Sequence, residues 1–145
     1  MFKNILIICV GNICRSPMAE AMFSHRFQGK GPVFSSAGIS ALVGNPMDKT
    51  AQDVLQDHGL ELATHRARQV KGDMLRQADL ILAMERSHIQ HISEIAPEVH
   101  GKTFLIGKWQ NDEEIPDPYR KSRPAFEHVH GLLSASIESW LPYLR

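Results

Sequence analysis

Residues Asn4–Cys9, Asn-Ile-Leu-Ile-Ile-Cys, carry an unbroken apolar run that stops at Gly11-Asn12 and gives way to a stretch of helical period. A run without polar alternation belongs to a strand covered on both faces, as strands inside a parallel sheet are. A parallel strand cannot return through a hairpin, so a helical crossover has to follow it. This one run therefore commits the chain to alternating strands and helices.

The remaining sequence keeps that rhythm. Ser16-Pro17 is predicted to cap and open the first helix, with Ala19, Met22, Phe23 and Phe27 at helical spacing and Gly29 and Gly31 ending it. Residues 32–37 read as a second strand and 38–46 as a loop of small residues. Asp48 is placed to cap a helix bearing Ala51, Val54 and Leu55, closed by Gly59 with Leu60 beyond it. Residues 79–84 predict a third strand. Ser87 with Gln90 resembles a capping box for a helix carrying Ile89, Ile92 and Ile95, which Pro97 ends. Residues 103–106 predict a short fourth strand, and 107–121 a long loop. The last helix opens near Ser122-Arg123-Pro124 and lines up Phe126, Val129, Leu133, Ile137 and Trp140 on one stripe. With 145 residues, 43% of them hydrophobic, the chain suits a single α/β doubly wound domain spanning residues 1–145. Such a domain binds its ligand beyond the carboxyl ends of the strands.

Charge and cysteine content narrow the function. Sixteen basic residues balance sixteen acidic ones, so no global field favours nucleic acid or an anionic membrane, and any anion site is local. The apolar run near the start is too short for a signal core or a membrane span. Cys9 and Cys14 are too few and too close for a disulfide framework. The expectation is a cytoplasmic protein with reduced thiols, no membrane insertion and no nucleic-acid partner.

The turn after the first strand, Cys-Val-Gly-Asn-Ile-Cys-Arg-Ser-Pro at 9–17, has the makings of an anion cradle. A turn that leaves a strand and opens a helix aims several backbone N–H groups at one point, where the helix terminus adds partial positive charge. Gly11 removes a side chain from the approach, Asn12 tolerates a left-handed backbone, and the planar fork of Arg15 grips two phosphate oxygens. Cys9 lies at the focus of these donors, which favour the thiolate, the form that attacks. Ser16 can turn its hydroxyl toward the sulfur. A lone cysteine at a strand end is usually a small buried hydrophobe. Glycine, asparagine, arginine and serine in these places reverse that reading.

Displacing an alcohol or phenol from a phosphate ester also calls for a proton donor. Asp117, stiffened by Pro116 and Pro118, is the candidate in the long loop, and Tyr119 beside it can stack on an aromatic leaving group. Taken alone, Asp-Pro-Tyr reads as part of a solvated acidic loop with Asp112, Glu113 and Glu114. Its pairing with the cysteine loop gives it weight.

Together these segments resemble the low molecular weight protein tyrosine phosphatases. The resemblance extends through Ser-Ala-Gly at 36–38, Gly-Asn-Pro at 44–46 and His-x-Ala-Arg-Gln at 65–69. It implies a four-stranded parallel sheet in the order 2-1-3-4, helices on both faces, and a phosphate-binding loop after strand 1 that includes Val10, Gly11, Asn12, Ile13 and Cys14. It implies that Cys9 forms a phosphocysteine, Arg15 binds the phosphate and Ser16 assists the thiolate. Asn12, Ser36 and His65 would brace the loop, and Asp117 would act first as acid and then as base. No metal or organic cofactor is implied. Leu42 and Tyr119 would line the substrate pocket. Leu42 stands where eukaryotic members tend to have an aromatic wall, and Arg120 where they have a second tyrosine. Both match the bacterial branch that dephosphorylates the tyrosine-rich tail of autophosphorylating kinases governing capsule and exopolysaccharide export. The partner implied is thus a tyrosine-phosphorylated protein such as a membrane kinase tail, engaged by Arg120, Lys121 and Arg123, and the protein itself a monomer or weak dimer. In the family a neighbour placed like Cys14 forms a reversible disulfide with the nucleophile under peroxide. On geometry alone that role and simple packing beneath the loop stand level.

Rival readings lack residues. A thioredoxin-coupled arsenate reductase needs further cysteines, and none follows Cys14. Arginine phosphatases carry threonine where this chain has Ile13. A non-catalytic anion sensor would need neither Cys9 nor Asp117. His88 and His91 share a helical face but read as surface residues without the partners a metal site requires.

Overall fold

The computed structural model describes residues 2–60 and 64–145. Its elements in chain order are β1 (Asn4–Cys9), α1 (Arg15–Phe27), β2 (Val33–Gly38), α2 (Lys49–Asp57), α3 (Gly72–Gln77), β3 (Leu80–Ala83), α4 (Arg86–Ile95), a 3-10 segment (Pro97–Lys102), β4 (Thr103–Leu105) and α5 (Arg123–Leu144). The strands form one sheet in the order β2-β1-β3-β4, every pair parallel.

The central place of β1 follows from its composition. Ile5, Ile7 and Cys9 point into a core shared with α1, α2 and α5, where Met18, Phe23, Val54, Phe126 and Ile137 are buried. Leu6 and Ile8 point the other way, onto Leu75 of α3 and Ile92 of α4. With helices on both faces, each residue of the strand beyond Asn4 is removed from water. Asp79, just before β3, accepts hydrogen bonds from the backbone N–H groups of Lys3 and Asn4 at 2.7 and 2.8 Å, which ties the two central strands at their start. Those two bonds also hold its carboxyl below the ordinary value.

Two capping expectations need correction. The first helix begins at Arg15 with Cys14 at the N-cap position and no side-chain cap, so Ser16 and Pro17 lie inside its first turn. The Ser16 hydroxyl is drawn inward by Cys9 and Asn12, so it does not cap. In α4 the N-cap position is Glu85, and no capping box forms at Ser87. There the Arg86 N–H is taken by the Glu114 carboxylate at 2.7 Å, a cap supplied by the long loop. His88 is also corrected: it is 4% exposed, not a surface residue, whereas His91 is exposed.

The α2 expectation holds. One Asp48 oxygen accepts from Thr50 and Ala51 N–H at 2.9 and 3.1 Å, Gly59 takes φ +80°, and Leu60 N–H closes on Leu55 O at 2.9 Å. β1 keeps the limits read in the sequence, and the limits of β2, β3 and β4 differ by no more than one residue. Helix α3 and the 3-10 segment had no counterpart there, being too short to display a period. No helix among the described residues is long and apolar enough to cross a membrane.

Candidate active site

At the carboxyl end of β1 the chain turns every nearby carbonyl outward. Cys9, Val10 and Gly11 carbonyls accept from the N–H groups of Ile39, Ser40 and Leu42, each at 3.0 Å. The Asn12 carbonyl lies 2.7 Å from His65 Nε2, and Ile13 and Cys14 carbonyls accept from Asp48 and Met18 N–H. Among the described residues, the N–H groups from Gly11 to Ser16 have no protein acceptor. They belong to the turn and to the start of α1, where a helix has donors to spare for an anion.

Asn12 takes φ +60°, the left-handed conformation expected of it. The closest backbone approach falls at Gly38, not at Gly11. A Cβ on Gly38 would stand 2.4 Å from the Val10 carbonyl oxygen, whereas one on Gly11 would meet nothing nearer than 3.8 Å. Glycine at 38 is what lets β2 support the loop from below.

The hollow opens into a cleft of about 200 Å³ lined by Cys9, Val10, Gly11, Ile13, Cys14, Arg15, Ser40, Leu42, Asp117 and Tyr119. Leu42 and Tyr119 are its half-open walls, 38% and 39% exposed. Cys9 Sγ lies 2.8 Å from Ser16 Oγ. Asn12 Nδ2 donates to Ser16 Oγ at 2.8 Å and to Ser36 Oγ at 3.0 Å, and Ser36 in turn donates to Glu20 Oε1 at 2.7 Å. Since the amide donates to the Ser16 oxygen, the serine proton is free to point at the sulfur. A hydroxyl aimed in this way stabilises negative charge there.

Arg15 is 1% exposed, an environment an unpaired guanidinium cannot occupy cheaply. Its Nη1 donates to Glu85 Oε2 at 2.5 Å and to the Ile115 carbonyl at 2.8 Å, while Nη2 lies 3.6 Å from Asp117 Oδ2. One edge of the fork is thus anchored to the scaffold. Asp117 also accepts from Tyr119 N–H at 3.0 Å, a local turn that holds the carboxylate at the mouth.

With the cleft, the outward-turned loop and the Cys9–Ser16 contact in place, the comparisons decide the family: the description "Low molecular weight phosphotyrosine protein phosphatase" matches residues 4–145. The chain belongs to that family. The phosphatase is 50% identical to the low molecular weight protein-tyrosine-phosphatase Etp of Escherichia coli strain K12 over 139 residues, 96% of this chain and 93% of that one. Among solved structures it is similar to Vibrio vulnificus Wzb in complex with benzylphosphonate, at 39% identity and a TM-score of 0.94, covering 99% of this chain and 100% of the other. It is also similar to the YwlE arginine phosphatase from Geobacillus stearothermophilus, at 33% identity and a TM-score of 0.92, over 98% and 92% of the two chains. The shared fold therefore spans more than one phosphorylated side chain.

Several residues of the phosphatase site escaped the sequence reading. Glu20 is held above the usual carboxylate range by burial, against the pull of Ser36, His65 and Arg68. Arg68 N–H donates to Asn12 Oδ1 at 3.0 Å, and its guanidinium to the Ser36 carbonyl at 2.9 Å. His88 lies against the anchored arginine, its Nε2 3.5 Å from Glu85 Oε2 and its buried Nδ1 without a partner. Burial, helped by the Arg15 charge, keeps its imidazole below the ordinary value. Glu20 and His88 both lie inside helices whose apolar faces masked them, and Glu85 falls between the third strand and the next helix, outside any motif. Burial, with the charge of Asp48 next, pushes the Cys14 thiol up, so its sulfur stays protonated. Of the three basic residues after the Asp-Pro-Tyr motif, Arg123 is occupied by Asp57 and by Glu127, the latter at 3.0 Å. Among the described residues no group of three His, Cys, Asp or Glu side chains is arranged to hold a metal ion.

Proposed function

We propose that this phosphatase hydrolyses phosphotyrosine through a phosphocysteine. The single observation that supports the mechanism best is the 2.8 Å contact between Cys9 Sγ and Ser16 Oγ in a loop whose N–H groups from Gly11 to Ser16 have no protein acceptor among the described residues. The Cys9 thiolate attacks phosphorus, the bond from phosphorus to the tyrosine oxygen breaks, and Asp117 gives that oxygen its proton. The loop N–H groups and the free edge of Arg15 hold the phosphoryl oxygens as charge redistributes. Asp117, now a carboxylate, takes a proton from water. The water oxygen bonds to phosphorus, the S–P bond breaks, and the thiolate leaves with the Ser16 hydroxyl donating to it. Asn12, Ser36 and His65 hold the loop in shape. Ile13 and Leu42 give the cleft apolar sides that suit an aromatic ring.

The partner we infer is a tyrosine-phosphorylated protein, the tail of an autophosphorylating membrane kinase of capsule or exopolysaccharide export, met in a reducing cytoplasm. The likeness to Etp and Wzb supports it, as do the two free thiols. Trapping with Cys9→Ser protein in an extract of its own cells tests both levels. Cys9→Ser is expected to lose aryl phosphate turnover while still binding phosphate, and to recover a tyrosine-phosphorylated kinase. Full turnover by the variant would end the mechanism, and recovery of arginine-phosphorylated proteins would end the substrate assignment.

A further inference from the structure

Arg120 is the residue at the mouth of the cleft whose placement the mechanism does not use. It occupies the third position of a turn closed by Lys121 N–H to Pro118 O at 2.9 Å, with φ +64°. That conformation belongs by preference to glycine or asparagine, and a long branched cation takes it only under constraint. The consequence of the constraint is where the side chain goes. Its guanidinium carbon stands 5.2 Å from the centre of the Tyr119 ring, and Tyr119 is a wall of the cleft. An exposed cation is therefore held one ring away from where a phosphotyrosine would enter.

The neighbouring charges leave Arg120 available. Arg15 is bound by Glu85, and Arg123 by Asp57 and Glu127. Two acidic groups of the same loop are engaged elsewhere, Glu114 at the start of α4 and Asp117 with Arg15 and the Tyr119 N–H. Among the described residues Arg120 has no carboxylate within ion-pair distance. A planar guanidinium in that state is suited to a carboxylate or a phosphate, which it grips with two parallel hydrogen bonds.

We propose that Arg120 is a specificity residue that binds an anionic group, a carboxylate or a second phosphate, on a substrate residue flanking the scissile phosphotyrosine. The proposal rests on the phosphotyrosine reading above and adds to it a preference for acidic or multiply phosphorylated segments. Arg120 touches the flank of the substrate and takes no part in bond breaking. Its contribution is to the encounter and to KM, and it is weakened by salt.

Four substrates separate the levels: p-nitrophenyl phosphate, and phosphotyrosine peptides with neutral flanks, with glutamate flanks, and with a second phosphotyrosine. The native protein is expected to show kcat/KM about tenfold higher on the two anionic peptides than on the neutral one, mostly through KM. Arg120→Ala should erase that difference while changing p-nitrophenyl phosphate and the neutral peptide less than about twofold. Arg120→Gly, which accepts φ +64° without strain, should behave as Arg120→Ala does, and Arg120→Lys should keep part of the preference. The ratio between the two anionic peptides identifies which anion Arg120 prefers. Equal turnover of neutral and anionic peptides by the native protein overturns the proposal and leaves the phosphatase reading standing. An equal loss on all four substrates in Arg120→Ala, restored in Arg120→Gly, also overturns it and assigns Arg120 to turn geometry. Failure to turn over any aryl phosphate overturns both readings.

Discussion

The Asp117 carboxylate lies 3.6 Å from the Arg15 guanidinium, with its other oxygen bonded to the Tyr119 N–H at the cleft mouth. In the proposed reaction the substrate's phosphoryl group takes Arg15 in its place, which frees Asp117 for the leaving oxygen. In the proposed mechanism this places the same residue for both of its turns.

Asp117→Asn follows from that relationship. The amide keeps the bond from Tyr119 but has no proton to give to a departing oxygen. Turnover should fall by about a hundred to ten thousandfold with poor leaving groups such as tyrosine and far less with p-nitrophenol. A series of aryl phosphates spanning leaving-group acidity measures it as a steeper dependence of kcat/KM in the variant. An equal loss across the series would remove the acid role.

Ser16→Ala removes the hydroxyl that Asn12 directs at the sulfur. The lost bond is to a charged group, worth about 1.5 to 3 kcal/mol, so the step in which the thiolate leaves should slow roughly ten to a hundredfold. Phosphoenzyme should then accumulate, visible as a burst of p-nitrophenol in rapid-mixing traces. Loss of rate without a burst would place the effect of Ser16 before the phosphocysteine. Asn12→Ala should act in the same direction, because without its amide the Ser16 proton is no longer directed.

What the sequence disclosed and what it hid follow from the range of the interactions involved. The unbroken run Asn4–Cys9 specified the central strand because burial on both faces needs no partner to be recognised. Asp48 was legible as a cap because the group it serves lies two and three residues away. The start of α4 was not, because its cap comes from Glu114, 28 residues on, and no local pattern carries that distance. In the cleft, Cys9, Arg15 and Ser16 share one turn and were readable together. Glu85 reaches Arg15, and His88 reaches Glu85, only once β3 lies beside β1, so no local pattern marked either. Gly38 shows the same limit: its want of space is set by Val10, a residue of a different strand-to-helix turn.

Asp48→Ala tests the local kind of stabilisation. Two first-turn N–H groups of α2 would lose their acceptor, a cost of about 1 kcal/mol. For a chain of this size that lowers Tm by roughly 3 °C. Thermal unfolding followed by circular dichroism measures it. Because the Ile13 carbonyl accepts from Asp48 N–H, which the alanine retains, phosphate binding should survive. A variant that loses both stability and phosphate binding would show that α2 and the loop are coupled more tightly than the backbone bond implies.

His88 gives the fold a dependence on acid. Burial and the Arg15 charge hold its folded value below the ordinary one, while Glu85, Asp117 and Glu114 pull the other way without reversing it. The unfolded chain therefore takes up a proton from about pH 6.5 downward that the folded imidazole still refuses. Stability must fall as pH drops through that window, since the unfolded state binds more protons there. His88→Asn, which keeps a polar group of similar reach but does not titrate, should flatten the fall between pH 7 and pH 5. His130, held down by burial and by its stacking partner His58, continues to titrate in the variant, so the slope shrinks without vanishing. Urea midpoints at half-unit pH steps measure the difference. Curves for the two proteins that run parallel would show that His88 takes up its proton equally in the folded and unfolded chain, and would remove the effect.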